Sequence, residues 1–491
     1  MNGGGFMGGY AVPDDIRKFK PKGTMVKVIH SKYYVYEYSC VKNDDGKWKT
    51  KMGRLVGSIQ EGIGFIPNSS FNKKQDLTSL EYGQYALAFT NSSKTLQGLL
   101  DVFNPGDAYQ IYFMALLHFV NGFLPLKNME SYFKQSYLSA MFPDLKLSYH
   151  VLSKLLDSLG RRQENVHRFE QNLINESTSE IAVDGHVIRS CSHDNNLAEK
   201  GNKYNLLKDS QVNVLMAYDI NTNKPLISRI YEGGALDKVS IKDMMKRHEF
   251  KDTLFIIDRG FYSSDNINLF SSNNNHYIIP LAPNLLSYKK VVKDMNLNKI
   301  FVYERNRKRS TIEYREVEDG NMKIVIYRDM NQSALDKADY LKHMEEYPDK
   351  YTQNNYEKVK DFFGVIVLQS NCLDKGAEEI YSLYKKRWKI ETFFNYFKNR
   401  VEISSLHLDD YYMSEGISFI MLIVGLIESE FNGAIKKAGI KGQTIDDILL
   451  EGRFIKIHWN RGNWYLENMK KSRQDMMNTL NVTHEEIAML K

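Results

Sequence analysis

The segment YKKRWKIETFFNYFKNR, Tyr384–Arg400, sets six basic residues around a single acid, Glu391. Its apolar residues recur at helical spacing, which predicts an amphipathic helix. At about 100° per residue, Tyr384 and Lys398 fall within roughly 20° of Glu391, and Arg387 about 40° away. Tyr384, Arg387, Glu391 and Lys398 then line one polar stripe, with Leu383, Ile390, Phe393 and Phe397 on a core face. A surface ion-pair lattice accounts for little of this, because only Arg387–Glu391 is a favourable i,i+4 pair, worth ~0.2–0.5 kcal/mol. A row of cations beside one carboxylate suits a phosphate backbone passing along the stripe, with a metal ion on the acid. Lys385, Lys386 and Lys389 point elsewhere and are expected to supply only general attraction for a polyanion.

Two further carboxylates stand at strongly apolar runs, Asp184 in IAVDG and Asp258 in LFIIDRGF. Each run reads as a buried strand ending at its aspartate. Taken singly, each aspartate is explained by a turn in which Asp bonds the backbone two residues on. Two such strands in one sheet, with a third acid on a later helix, favour chemistry instead, since open α/β sheets gather it at strand ends. Three carboxylates without cysteine or histidine make a hard oxygen site, suited to Mg²⁺ or Mn²⁺. His186 and His193, near the first aspartate, read as polar neighbours.

Working outward, 491 residues allow several domains, and 42% apolar with 26% charged residues is ordinary globular composition. The net charge of +6 implies no partner by itself; its concentration in Tyr384–Arg400 and in NRKRS (Asn306–Ser310) is the informative part. Cys40, Cys191 and Cys372 are scattered, which suits a reducing cytoplasm rather than a disulfide or zinc framework. The start lacks a signal-peptide pattern. The longest apolar run, Ile417–Ile427, is about half of the ~20 residues of a membrane span, so a buried helix and no membrane partner are expected. The patterning divides the chain into a β-rich module (1–75) with a hairpin at NDDG, and a helical region (76–178). In the latter, LSYHVLSKLLDSLGRRQENVHRF reads equally as a DNA-reading helix-turn-helix or as a packing bundle. Strands and a crossover helix in α/β order then predict a mixed sheet (179–286), interrupted by a polar β-rich insertion (287–360) and resumed at 361–430. A helical C-terminal region (431–491) closes the chain.

Tyr384-x2-Arg387-x3-Glu391-x6-Lys398 resembles the Y-R-E-K signature of DDE transposases from bacterial insertion sequences, of the family-four type. DRGF at Asp258 and IAVDGHVI at Asp184 resemble that family's second- and first-aspartate strands, and ISRIYEGGALDKVSI resembles the loop between them. The resemblance covers about 145–430. It implies an RNase H-like catalytic domain with two metal ions, Mg²⁺ or Mn²⁺, held by Asp184, Asp258 and Glu391. It further implies that Tyr384, Arg387 and Lys398 contact DNA near the scissile phosphate, and that the chain excises an element by its terminal inverted repeats and joins it to target DNA. A homodimer on the DNA in a bacterial, nucleoid-associated setting is implied as well. Some members form a hairpin with a tryptophan from the insertion. Here Trp48, Trp388, Trp459 and Trp464 all lie outside it, leaving Tyr303, Tyr314 or Tyr327 to stack. The family's Thr-Asn after the last core strand reads Gln369-Ser370-Asn371. Two other readings stand beside this one: an RNase H-like nuclease or resolvase without strand transfer, and a DNA-binding protein that no longer cuts.

Overall fold

A computed structural model of the chain describes residues 12–42, 46–61, 64–68, 79–189, 199–200, 210–233, 237–293, 295–400, 410–460 and 463–490. It divides into a smaller unit (Met1–Glu81, Lys456–Asn468, His484–Lys491) and a larger one (Tyr82–Ile455, Met469–Thr483). In the smaller unit, β1 (Thr24–Ile29), β2 (Lys32–Lys42), β3 (Trp48–Gln60) and β4 (Gly64–Pro67) form an antiparallel meander. The β1–β2 turn uses His30 and Ser31, both at positive φ, the conformation that matches the twist of a two-residue hairpin. β5 (Ser79–Glu81) pairs with the hairpin Lys456–Asn460/Asn463–Leu466, so the C-terminal region contains strands as well as helices.

The larger unit carries a ten-stranded mixed sheet. Its strands are β6 (Glu180–Arg189), β7 (Glu199–Lys200), β8 (Ser210–Asp219), β9 (Lys224–Glu232), β10 (Leu254–Ile257) and β11 (His276–Pro280). The remainder are β12 (Lys299–Arg305), β13 (Lys308–Asp319), β14 (Met322–Asp329) and β15 (Val365–Ser370). β6, β10 and β11 are parallel, while β8 and β9 run antiparallel beyond β6. The order β9-β8-β6-β10-β11 is the RNase H-like arrangement expected from the sequence. Parallel neighbours must be joined by crossovers, and the helix Ser264–Phe270 supplies the one between β10 and β11, while the helix Asp237–Arg247 leads from β9 to β10. Val183, Leu215, Phe255 and Ile257 pack with Met244, Phe261 and Phe270 on one face of the sheet.

Three expectations change here. β6 does not end at Asp184: its pairing with β8 continues through Asp184↔Met216 to Arg189↔Gln211, because the apolar–polar alternation of GHVIR still suits a strand. The segment read as an insertion (287–360) continues the sheet it was read as interrupting. β15 lies antiparallel between β11 and β14, so β12–β14 extend the catalytic sheet edge to edge. The segment quoted first is also not one helix. It breaks into Ala377–Lys385 and Trp388–Arg400, and the Arg387 and Lys389 amides bond carbonyls three residues back, a tightened turn.

In the same unit, the helix Tyr411–Lys437 buries Ile417–Ile427. It is long and apolar enough to cross a membrane, and most of that apolar stretch is buried inside the protein. The helix Tyr149–Arg161 packs against it at glycine contacts: a Cβ on Gly160 would stand 2.0 Å from the Tyr412 carbonyl oxygen, and one on Gly416 2.3 Å from that of Leu156. The helix-turn-helix candidate, Tyr149–Arg161 and Glu164–Asn175, thus buries Leu152, Leu156, Val166 and Phe169 in a bundle.

Candidate active site

Register explains why the acids meet. β10 pairs in parallel with β6 up to Ile257↔Val183, so the next residues, Asp258 just past β10 and Asp184 within β6, stand side by side. Each aspartate accepts the amide of its own following residue, Gly185 at 2.9 Å and Arg259 at 2.6 Å. Asp258 thereby caps a short 3₁₀ turn, Arg259–Phe261. The helix Trp388–Arg400 then docks on β6 and β8 through buried Ile390, Phe393 and Phe394, with His186 stacked on Phe394 and Tyr218 against Phe393. Leu383 is buried as expected; the side chains of Phe397 and Lys398 lie outside the described residues, as does His193.

The three acids converge on one cation. Arg387 donates to Glu391 Oε1 at 2.6 Å and to Asp184 Oδ2 at 3.4 Å, and its guanidinium lies 3.9 Å from Asp258 Oδ2. Arg387 and Asp184 are largely buried, at 14% and 20% exposure, whereas Asp258 and Glu391 are 42% and 48% exposed. Burial raises the Asp184 carboxyl to about 6; Arg387 opposes that shift, while Asp258 and Glu391 add to it. Tyr384 lies beneath the guanidinium, 5.9 Å from ring centre to Arg387 Cζ, and burial pushes its hydroxyl up to about 12. The turn at Lys386–Arg387 makes this arrangement possible by turning Arg387 inward onto the acids.

Among the described residues no three acidic, histidine or cysteine side chains surround one ion-sized space, because the guanidinium stands between the carboxylates. Their chemistry nevertheless fits a divalent cation: oxygen donors from two strands and a helix, with one positive charge facing three ionisable acids.

The remaining lysines of the segment are not free. Lys386 pairs with Glu180 at 3.6 Å, Lys389 donates to the Ile220 carbonyl at 2.5 Å, and Lys385 lies over the Tyr381 ring at 5.0 Å. All three point away from the acids, as expected; Lys385 meets a ring one turn back in its own helix, and Lys386 and Lys389 meet partners that the tertiary fold supplies. Tyr314 and Tyr327 are buried and present no open ring face for a base, while half-buried Tyr303 packs edge-on against Tyr381. A contact absent from the sequence reading is Arg305, whose guanidinium stacks on Trp388 at 4.1 Å and brings the NRKRS hairpin to the start of the Glu391 helix. That hairpin turns at Asn306 and Arg307, both at positive φ.

A sequence-family model described as a transposase DDE domain matches residues 175–424, just over half of the chain and spanning all three acids. The chain belongs to the DDE transposase family. No curated protein matches it. A cryo-EM structure of the piggyBac transposase synaptic complex with hairpin DNA is similar over 84% of this chain and 90% of that chain, at 11% identity and a TM-score of 0.42, a likeness too slight to argue from.

Proposed function

We propose that this DDE transposase is the enzyme of a bacterial insertion sequence of the family-four type, binding terminal inverted repeats, cleaving there and joining the ends to target DNA. The observation that carries the reading is the convergence of Asp184, Asp258 and Glu391 on Arg387. These carboxylates would hold two Mg²⁺ or Mn²⁺ ions, which when bound activate a water or 3′-hydroxyl and stabilise the departing oxygen. Arg387 clamps the acids beforehand, and its release frees a buried guanidinium to meet a DNA phosphate, with Tyr384 supporting it and Lys398 further along the helix. Parallel strands fix the two aspartates on a rigid base, so only the helix need adjust. Two copies of the chain would pair the two ends.

The test is purified protein with a duplex carrying the element's terminal repeats and Mg²⁺, comparing wild type with Glu391→Gln. The expected result is metal-dependent cutting and joining that the substitution lowers by at least 10³-fold, roughly the loss of a group acting at the transition state. Cleavage unaffected by Glu391→Gln refutes the site, and cleavage without joining favours a nuclease. The same gels read whether a hairpin end forms.

A further inference from the structure

In the smaller unit, the distal halves of β2 and β3 extend past the rest of their sheet. β1 pairs only with residues 32–37 and β4 only with 57–60, leaving the register Tyr38↔Met52 to Lys42↔Trp48 as a two-stranded ribbon. Every residue of Tyr38–Lys42 and Trp48–Arg54 is exposed, while Val35, Val56 and Ile59 at the base form the core. A bare ribbon of this kind is marginal in water, and its open edges invite association. Its persistence with large exposed side chains, Trp48 at 70% exposure among them, calls for an occupant.

The chemistry of that occupant can be read from the ribbon. Between residues 39 and 54 the sequence holds Lys42, Lys47, Lys49, Lys51 and Arg54 against Asp44 and Asp45. Opposed residues of an antiparallel pair share a face, so Lys49 and Lys51 stand on one side with Val41 and Ser39. Trp48, Tyr38, Met52 and Lys42 stand on the other, with the Lys42 ammonium 5.5 Å from the Trp48 ring centre. Protein interfaces are depleted of lysine, whereas interleaved lysine and aromatic residues suit a polyanion with π faces. A two-stranded ribbon is also one of the few elements that a DNA major groove, about 12 Å wide, admits.

We propose that the β2–β3 ribbon is a duplex-DNA contact of this transposase, entering the groove edge-first so that its Lys49–Lys51 face meets the phosphates of one groove wall and its Trp48 face lies toward the other. The inference rests on the transposase reading, and it assigns DNA recognition to a segment outside the catalytic sheet. The test measures binding of full-length protein to a terminal-repeat duplex by fluorescence anisotropy at 50–200 mM salt. Lys49→Gln with Lys51→Gln is expected to flatten the log K against log salt slope by about 2 and to weaken binding about tenfold or more. Trp48→Ala is expected to weaken binding with the slope unchanged. All three positions are exposed, so the fold is expected to persist, as circular dichroism checks. Wild-type affinity and slope in these variants overturn the ribbon assignment while leaving the transposase reading intact. Unchanged DNA affinity together with a changed sedimentation coefficient overturns it in favour of a protein contact. Failure of wild type to bind the duplex overturns both.

Discussion

Arg387→Met removes the cation that, among the described residues, stands between the three acids, and keeps most of the side chain's volume. Its cost can be worked from the structure. Glu391 and Asp258 are well over a third exposed, so their pairs with Arg387 are screened and worth ~0–1 kcal/mol each. Asp184 is largely buried, and stranding one partner of a fully buried pair costs ~3–5 kcal/mol. A loss of ~2–4 kcal/mol in EDTA at pH 8 follows, allowing for the guanidinium's own desolvation. The pH dependence has a definite sign. The folded Asp184 carboxyl is raised to about 6 from 3.8, so its contribution is complete below pH 3.8 and is lost as pH rises through about 6. Removing Arg387, which lowers that value, pushes it higher, so the variant's deficit is largest above pH 7 and shrinks near pH 5, where Asp184 is protonated. Divalent cations should then take over the lost charge, and Mn²⁺ should stabilise the variant more than wild type. A tenfold tighter site corresponds to ~1.4 kcal/mol of extra stabilisation at saturation. The assay is urea unfolding in EDTA and in Mn²⁺, at pH 5 and pH 8. Equal stability of variant and wild type in EDTA at pH 8, or equal shifts with Mn²⁺, would refute the idea that Arg387 stands in for the ions.

Other expectations concern the frame around the site. Arg229, buried between Glu170 (3.5 Å) and Glu415 (3.2 Å), links β9 to helices Glu164–Asn175 and Tyr411–Lys437. Arg229→Met should cost ~3–5 kcal/mol in urea unfolding, with Glu415→Gln on top recovering part of it. Gly160→Ala drives a methyl into the Tyr412 carbonyl and should cost ~3 kcal/mol, the upper end of overpacking, read as a lower Tm. Burial drives the His118 imidazole down to about 3, so its contribution is present above pH 6.5 and lost as pH falls toward 3. His118→Gln, which can still accept the Leu124 amide, should make unfolding less steep in that acid range.

The sequence was most legible where one periodicity and one chemistry coincided. Apolar runs ending in Asp located β10 and its carboxylate, and the helical spacing of Leu383, Ile390 and Phe393 located a buried face. It misplaced the end of β6 because Asp-Gly is also a turn signal, and burial by β8 outweighed it. It set β12–β14 apart from the catalytic sheet because β12 and β13 are polar and largely exposed, while only the buried pairing of β14 with β15 joins them to it. It drew one straight helix from Tyr384 to Lys398 because helical periodicity carries no information about a two-residue break.

The sequence by itself determined which side chains could do the chemistry: three carboxylates, their cationic neighbours, and the strands and helix that carry them. Only the tertiary structure decided how those groups face one another. The parallel β6–β10 register sets Asp184 beside Asp258, and the turn at Lys386–Arg387 swings a guanidinium among the acids rather than along a stripe. Lys386 and Lys389 likewise found an acid and a carbonyl brought from elsewhere in the chain. The physical reason is range. Propensity and periodicity act over a few residues, whereas the charge around a buried carboxylate is set by groups some 70 to 200 positions away.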